Sequence, residues 1–380
     1  MTTRARRHVP ARLRYPRGQI PLAAAPTHPA DSTAVLAPLD ERSLLAALAP
    51  YAVSRPGKGV ANILTSVVPY LALIAAAALA LRTSVALALT LSVLASGFLL
   101  RTFIVFHDCA HGSFFPSKRT NAVLGGILGV LVYTPFAVWR REHAVHHATA
   151  GDLDRRGVGD VQTLTIDEYL ARPWWSRLGY RLFRNPLVMF GLGPMWVVVL
   201  EPRVVSWSAP RRLRRSTLGT DLALAAVIGV LCWLLGWQGF LIVQLPALMV
   251  TGSVGIWLFY VQHQFEDTYW QSSGSWRYED AALKGSSYLK LPRILRFLTG
   301  NIGLHHVHHL SARIPNYNLQ AAHDDNPALH DVPTMSLRDG LRATRLKLWD
   351  EKQGKLVGFA AARARRSGAA SAAPARLPAR

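Results

Sequence analysis

Two stretches of this chain run for about 40 residues each with almost no charge. Between Val60 and Leu100 the single charged side chain is Arg82, and between Leu222 and Val261 there is none. Crossing the hydrocarbon core of a bilayer takes ~20 apolar residues in a helix, and helices of soluble domains average ~11–12 residues. Each stretch is therefore expected to cross twice. Arg82-Thr83-Ser84 would turn the first pair, about 60–106, and Gly236-Trp237-Gln238-Gly239 the second, about 221–262. The expected fold is all-α and integral to a membrane, with four transmembrane helices arranged as two hairpins under a cytoplasmic helical cap. A hydrophobic share of 50% and a mean hydropathy of +0.17 agree with this class rather than with a soluble domain.

A segment that crosses twice returns to its starting side. Residues 1–59, 101–221 and 262–380 then lie on one face, and they hold nearly all the Lys and Arg, including Arg140, Arg141 and the cluster Arg211, Arg212, Arg214 and Arg215. By the positive-inside rule that face is cytoplasmic and carries both termini. The same bias, with anionic lipid headgroups, accounts for a net charge of +21 without nucleic acid. The shorter apolar runs Asn121–Trp139 and Leu187–Leu200 are interrupted by Gly and Pro, and read as interfacial or re-entrant. Residues 1–45 form a basic segment expected to be disordered, with no apolar core of a signal peptide. Residues 46–345 form the membrane domain, and 346–380 a basic, mostly disordered tail. Cys109 and Cys232 are the only cysteines, too few for a disulfide framework, which fits a reducing, cytosol-facing site.

Of the 14 histidines, nine fall into three clusters and a tenth, His263, stands alone. His107 and His111 stand four apart at the end of the first apolar stretch. His143, His146 and His147 form one HxxHH pattern; His305, His308 and His309 form another, with His306 between. His263 follows the second apolar stretch by two residues. Positions i and i+4, or i and i+3, share a helix face, so each cluster aims two imidazoles at one point, and each HxxHH pattern adds a third about 100° round the axis. A lone HxxxH is as often a polar helix end. Three clusters in order, flanking two membrane hairpins on one face, point to metal. Nine histidines (His107, His111, His143, His146, His147, His263, His305, His308, His309) exceed the coordination of one ion, so two are implied. Structural zinc would use cysteine, and a carboxylate-bridged bundle would show Glu-x-x-His pairs; neither pattern is present. The expectation is an all-nitrogen site for two iron ions, with no catalytic residue apart from the ligands. Asn301 and His306 are candidate additional ligands. Asp108, Glu142, Glu266 and Asp267 are candidate acceptors for imidazole N–H groups. A metal transporter would carry its histidines inside the crossings; the two apolar stretches contain none.

At these residues the sequence resembles the membrane fatty acid desaturase superfamily, whose hallmark is three histidine boxes of this type in this order. Trp139-Arg-Arg-Glu-His-Ala-Val-His-His-Ala-Thr-Ala-Gly-Asp-Leu-Asp-Arg-Arg-Gly is similar to the second-box region of the bacterial acyl-lipid desaturases. Gly300-Asn-Ile-Gly-Leu-His-His-Val-His-His-Leu-Ser-Ala-Arg-Ile-Pro-Asn-Tyr-Asn-Leu is similar to their third, and Gln262-His-Gln-Phe-Glu to their extra-histidine segment. The likeness covers roughly residues 60–330. It implies an enzyme of the bacterial cytoplasmic membrane that uses O2 to insert a cis double bond into phospholipid acyl chains, with the delta-5-type members nearest. Related hydroxylases and carotenoid ketolases share the boxes and remain the alternative. No fused cytochrome b5 signature, His-Pro-Gly-Gly, occurs in the sequence; the resemblance then implies an external donor of the ferredoxin or flavodoxin type. Trp139, Trp257, Phe259, Tyr260 and Trp270 are candidate walls of an acyl tunnel.

Overall fold

The computed structural model describes residues 41–371. Most of the expected N-terminal segment and the last nine residues lie outside that range. Among the described residues a short helix α1 (Glu41–Leu48) leads into the first hairpin, α2 (Pro56–Ala80) and α3 (Val85–His111). The Ser84 side chain caps α3 by accepting the Leu87 N–H at 3.2 Å. At its other end Gly112, with φ 70°, takes the left-handed conformation that stops helices. The turn therefore closes one residue after His111, which leaves both histidines of the first cluster on the last two turns of α3.

Helices α4 (Lys118–Leu131) and α5 (Phe136–Thr149) meet at a bend of 104°. Next come β1 (Leu164–Thr165), α6 (Ile166–Ala171) and α7 (Trp174–Phe183). A helical segment at 188–203 follows α7 at an angle of 60°. The long helix α8 (Arg211–His263) counts 53 residues. At 1.5 Å per residue an unbroken helix of that length would run ~80 Å, well over twice the bilayer core. It breaks at Gly236, where φ is 70° and ψ 159°. The sequence placed a four-residue turn here. The actual break is tighter, a single glycine, because φ > 0 at one residue suffices to redirect the axis.

Side-chain hydrogen bonds set the direction of each half of α8. Ser92 Oγ donates to the Val243 carbonyl at 2.6 Å, and Thr251 Oγ1 donates to the Ser96 carbonyl at 2.9 Å. The second half thus runs alongside α3 in the same sense, and delivers His263 to the end where α3 delivers His111. Near the start of the first half, Ser216 Oγ accepts the Ala137 N–H at 3.1 Å, beside α5. Gln244 donates across to the Tyr70 hydroxyl at 2.8 Å, a polar clasp within an otherwise apolar pack.

Three helices, α2, α3 and α8, are long and apolar enough to cross a membrane, and up to five spans result if each bent pair counts as one. Large apolar side chains on their outer faces are exposed, among them Leu64, Leu79, Leu94, Leu222 and Trp233. So are Trp174, Trp175, Leu178 and Leu182 of α7. Apolar surface this extensive marks a membrane protein.

The remaining helices are short: α9 (Tyr278–Leu283), α10 (Arg293–Leu298), α11 (His305–Leu310), α12 (Asn316–Asp324), α13 (Leu337–Ala343) and α14 (Phe359–Ser371). The fold is mostly helical, though not purely so. Strand β2 (Tyr288–Leu289) pairs in parallel with β3 (Thr334–Met335). A three-stranded sheet places β4 (Leu348–Asp350) between β1 and β5 (Lys355–Val357). This second sheet corrects the reading of 346–380 as a mostly disordered tail. Residues 346–371 are folded, with Leu348, Trp349, Asp350 and Leu356 buried. Arg365 of α14 bridges Asp350 at 2.6 Å and Asp167 at 3.2 Å. The Ala/Arg-rich composition hid this, because the buried residues sit in two strands of three residues that show no periodicity.

Candidate metal centre

Four helix ends converge. α3 contributes His107 and His111, α5 contributes His143, His146 and His147, α8 ends on His263, and α11 contributes His305, His308 and His309. Their ring nitrogens gather into two groups. His107, His111, His143, His147 and His308 form one; His146, His263, His305 and His309 form the other, and within each group the nitrogens lie within 4.8 Å of one another. The two HxxHH clusters divide in the same way. The i, i+4 pair of each stays together (His143 with His147, His305 with His309), and the remaining histidine, His146 or His308, crosses to the other group. The ring of His147 stacks on that of His309 at 4.2 Å, which sets the two groups side by side.

Three imidazoles have their Nδ1 protons fixed. Nδ1 of His107 donates to Asp108 Oδ1 at 3.0 Å, that of His146 to Asp160 Oδ1, and that of His263 to the Gly285 carbonyl at 3.0 Å. Carboxylate and carbonyl oxygens can only accept, so the proton sits on Nδ1 and the Nε2 lone pair faces the cluster. His146 Nε2 and His263 Nε2 then approach to 3.2 Å with no proton between them in the neutral rings. His305 Nε2 adds to the same point, 3.0 Å from His263 Nε2. In the first group His147 Nε2 lies 3.1 Å from His143 Nε2 and 3.0 Å from His308 Nε2. His111 Nε2 and His309 Nε2 are buried without any hydrogen-bond partner. Converging lone pairs and orphaned nitrogens are costly when buried, and a cation among them removes that cost. The residues fit a metal centre. Burial first, then neighbouring imidazoles, holds His305, His308 and His309 well below the usual histidine range, which keeps them in the neutral, ligating form.

The site is dry. The Trp139 ring stacks on His143 at 4.3 Å, and Phe259 packs against His146 at 4.9 Å. Of the other candidate tunnel aromatics, Trp270 and Phe259 line a small cavity beside His263. Tyr260 points elsewhere and donates to the Leu346 carbonyl, while Trp257 packs against Gly340.

The chain carrying this cluster of histidines matches a known family. The family model described as fatty acid desaturase matches residues 83–337, a span that contains all nine histidines. A protein of Bacillus subtilis (strain 168) named fatty acid desaturase is 44% identical over 321 residues, covering 84% of this chain and 91% of that protein. The chain belongs to the fatty acid desaturase family. More distant members include two from Synechocystis: an sn-1 oleoyl-lipid 12-desaturase, 27% identical over 58% of this chain and 63% of its own length, and an sn-1 acyl-lipid omega-3 desaturase (ferredoxin), 29% identical over 58% and 62%.

The desaturase structure sorts the remaining candidates. His306 stands outside both groups; its Nε2 lies 3.3 Å from His323 Nδ1, and burial pushes it down to about 3. Asn301 hydrogen-bonds the Asn316 carbonyl at 3.3 Å rather than any histidine. Of the four acids, Asp108 accepts a hydrogen bond from an imidazole, the Nδ1–H of His107. Glu142 and Asp267 are exposed, and exposed Glu266 pairs with Lys355 at 3.0 Å. Asp108 reaches the ring of His107 from the adjacent position of α3, whereas the Glu142 side chain faces outward from α5 and Glu266 and Asp267 lie beyond the end of α8. Asp160 was missed. The available signal was Gly157-Val-Gly-Asp160. Gly159 has φ +71°, and a Cβ there would lie 3.0 Å from the Glu142 carbonyl and 3.1 Å from His146 Cβ. Only glycine lets this loop press close enough to α5 for Asp160 to reach His146.

Proposed function

We propose that this protein is an O2-dependent desaturase of membrane-lipid acyl chains, with two iron ions held by the nine histidines. The observation that carries the reading is the approach of His146 and His263, two Nε2 lone pairs 3.2 Å apart with both Nδ1 protons engaged elsewhere. His107, His111, His143, His147 and His308 would hold one ion, and His146, His263, His305 and His309 the other. An unactivated methylene pair offers no acidic hydrogen, so two reduced irons would supply the O2 chemistry that side chains cannot. The protein's own residues do the rest. Asp108, Asp160 and the Gly285 carbonyl hold imidazoles in the ligating tautomer. Trp139 and Phe259 keep bulk water from the reacting carbons.

We read α2 and α3 as one membrane hairpin and the two halves of α8, joined at Gly236, as the second. The site would then face the cytoplasm, as the placement of Lys and Arg supports. Phospholipid acyl chains are the expected substrate, and one relative's name supports a ferredoxin-type donor; flavodoxin is the second candidate. The delta-5 position rests on the likeness of the second and third boxes. Expression in a host with saturated lipids, followed by mass spectrometric location of new double bonds, tests all of this. A cis double bond at one position is expected. Added oxygen would instead favour the hydroxylase or ketolase alternative, and unchanged chains with iron and donor present would refute both.

A further inference from the structure

One polar groove contains none of the nine histidines. About 290 Å³ in volume, it lies where α10 and α12 meet α2 and α3. Three guanidinium groups line it, Arg101, Arg293 and Arg296, together with Asn301, Asn316 and Tyr317, and no carboxylate does. Arg101 is 8% exposed, and its Nε is buried without a hydrogen-bond partner. Its other contacts are with Phe297: a hydrogen bond to the carbonyl and a guanidinium-over-ring contact at 4.0 Å. Arg296 donates to Gln320 at 2.8 Å, and Arg293 has no hydrogen bond or ion pair among the described residues. Three cations without a counter-charge define an anion site, and guanidinium favours phosphate through paired N–H donors.

The surroundings select the source of that phosphate. Beside the arginines, α10 exposes Ile294 (75%) and Phe297 (43%). Its Leu298 packs 3.0 Å from where a Cβ on Gly97 would sit, so α10 lies against α3 at that level. One turn earlier the outer face of α3 presents exposed Val93 and Leu94. Basic side chains interleaved with exposed apolar ones at the edge of a lipid-facing helix form an interfacial surface. The groove also adjoins the centre. Its wall residue Asn316 donates to Asp108 Oδ2 through its backbone N–H at 2.7 Å and its side-chain amide at 2.8 Å, and the other oxygen of Asp108 holds His107.

We propose that the Arg101–Arg293–Arg296 groove binds the headgroup phosphate of the phospholipid whose acyl chain is desaturated. The proposal rests on the desaturase reading for its purpose, and its test reads binding alone. The full-length protein, purified in detergent, is presented with phosphatidylglycerol or with a galactosyl diacylglycerol of identical acyl chains, and retained lipid is measured by native mass spectrometry. Phosphatidylglycerol should be retained preferentially. Arg293→Gln and Arg296→Gln should each weaken that retention about tenfold while leaving galactolipid retention and melting temperature unchanged. Arg101→Lys, which keeps the charge but not the paired donors, should weaken it less. Equal retention of both lipids, or variants that bind like the parent chain, would overturn the proposal. So would displacement of phosphatidylglycerol by millimolar inorganic phosphate, which would identify a soluble anion as the ligand. Because no turnover is needed, an inactive chain that passes this test refutes the desaturase reading and not the groove.

Discussion

Replacing Asp108 by Asn exchanges one carboxylate oxygen for an NH2 group and tests how the histidines are held. The Asp108 carboxylate accepts three hydrogen bonds, from His107 Nδ1 at 3.0 Å and from the backbone and side-chain amides of Asn316 at 2.7 and 2.8 Å. Both residues are buried, and Asn316 is itself fixed, because its Oδ1 accepts from Asn62 at 2.8 Å. An amide at position 108 must direct its NH2 either at His107 or at Asn316. In the first case two donors meet, and His107 relieves the clash by moving its proton to Nε2, the atom that faces the cluster. In the second case the NH2 meets two N–H groups. Either way at least one charge-assisted bond is lost, worth ~1.5–3 kcal/mol. At 1.4 kcal/mol per tenfold that is roughly a 10–100-fold loss of metal affinity, the range usual for partners of metal-bound histidines. Competition against a chelator, read by metal content per chain, measures it directly. Asp108→Asn should lose metal at lower chelator concentration while inserting normally into membranes. A variant that holds metal as tightly as the parent would refute the argument that Asp108 sets the tautomer of His107.

Other outcomes follow from the same geometry. Gly159→Ala should cost ~1–3 kcal/mol, since it places a side chain at φ +71° against the Glu142 carbonyl and His146; an unchanged melting temperature and metal content would show that the loop gives way freely. Lys347 is buried with its Nζ unpartnered, and burial, then Arg184, lowers it from 10.5 to about 7. The unfolded chain therefore binds more protons than the folded one between pH 7 and 10.5, so stability should rise with pH across that window by ~1.4 kcal/mol per unit. Lys347→Met should flatten the rise in thermal melts, and an equally steep profile in the variant would assign it to another group.

Much of this molecule is legible in its sequence because membranes and metals impose strong patterns. The charge-poor stretches 60–100 and 222–261 correspond to α2, α3 and most of α8. Spacing pairs the histidines within each cluster, since i, i+4 positions on a helix share a face, and the reading of two hairpins with one common face sets the clusters and His263 in one layer. The division into five and four was not legible. It depends on how α5 and α11 are rotated against each other, which places His146 with the third cluster and His308 with the first. Asp160 lay hidden because it reaches His146 across a glycine loop, 14 residues away. Short strands β4 and β5 carry too few residues for any period to register, so 346–371 read as a tail.

The central claim is that nine histidines form two adjacent iron sites with that five-and-four division. Anomalous scattering from crystals of the iron-loaded, full-length protein, collected at the iron edge, tests it most directly. Two peaks are expected, one among His107, His111, His143, His147 and His308 and one among His146, His263, His305 and His309. A single peak, or metal bound elsewhere with these nitrogens empty, would contradict it.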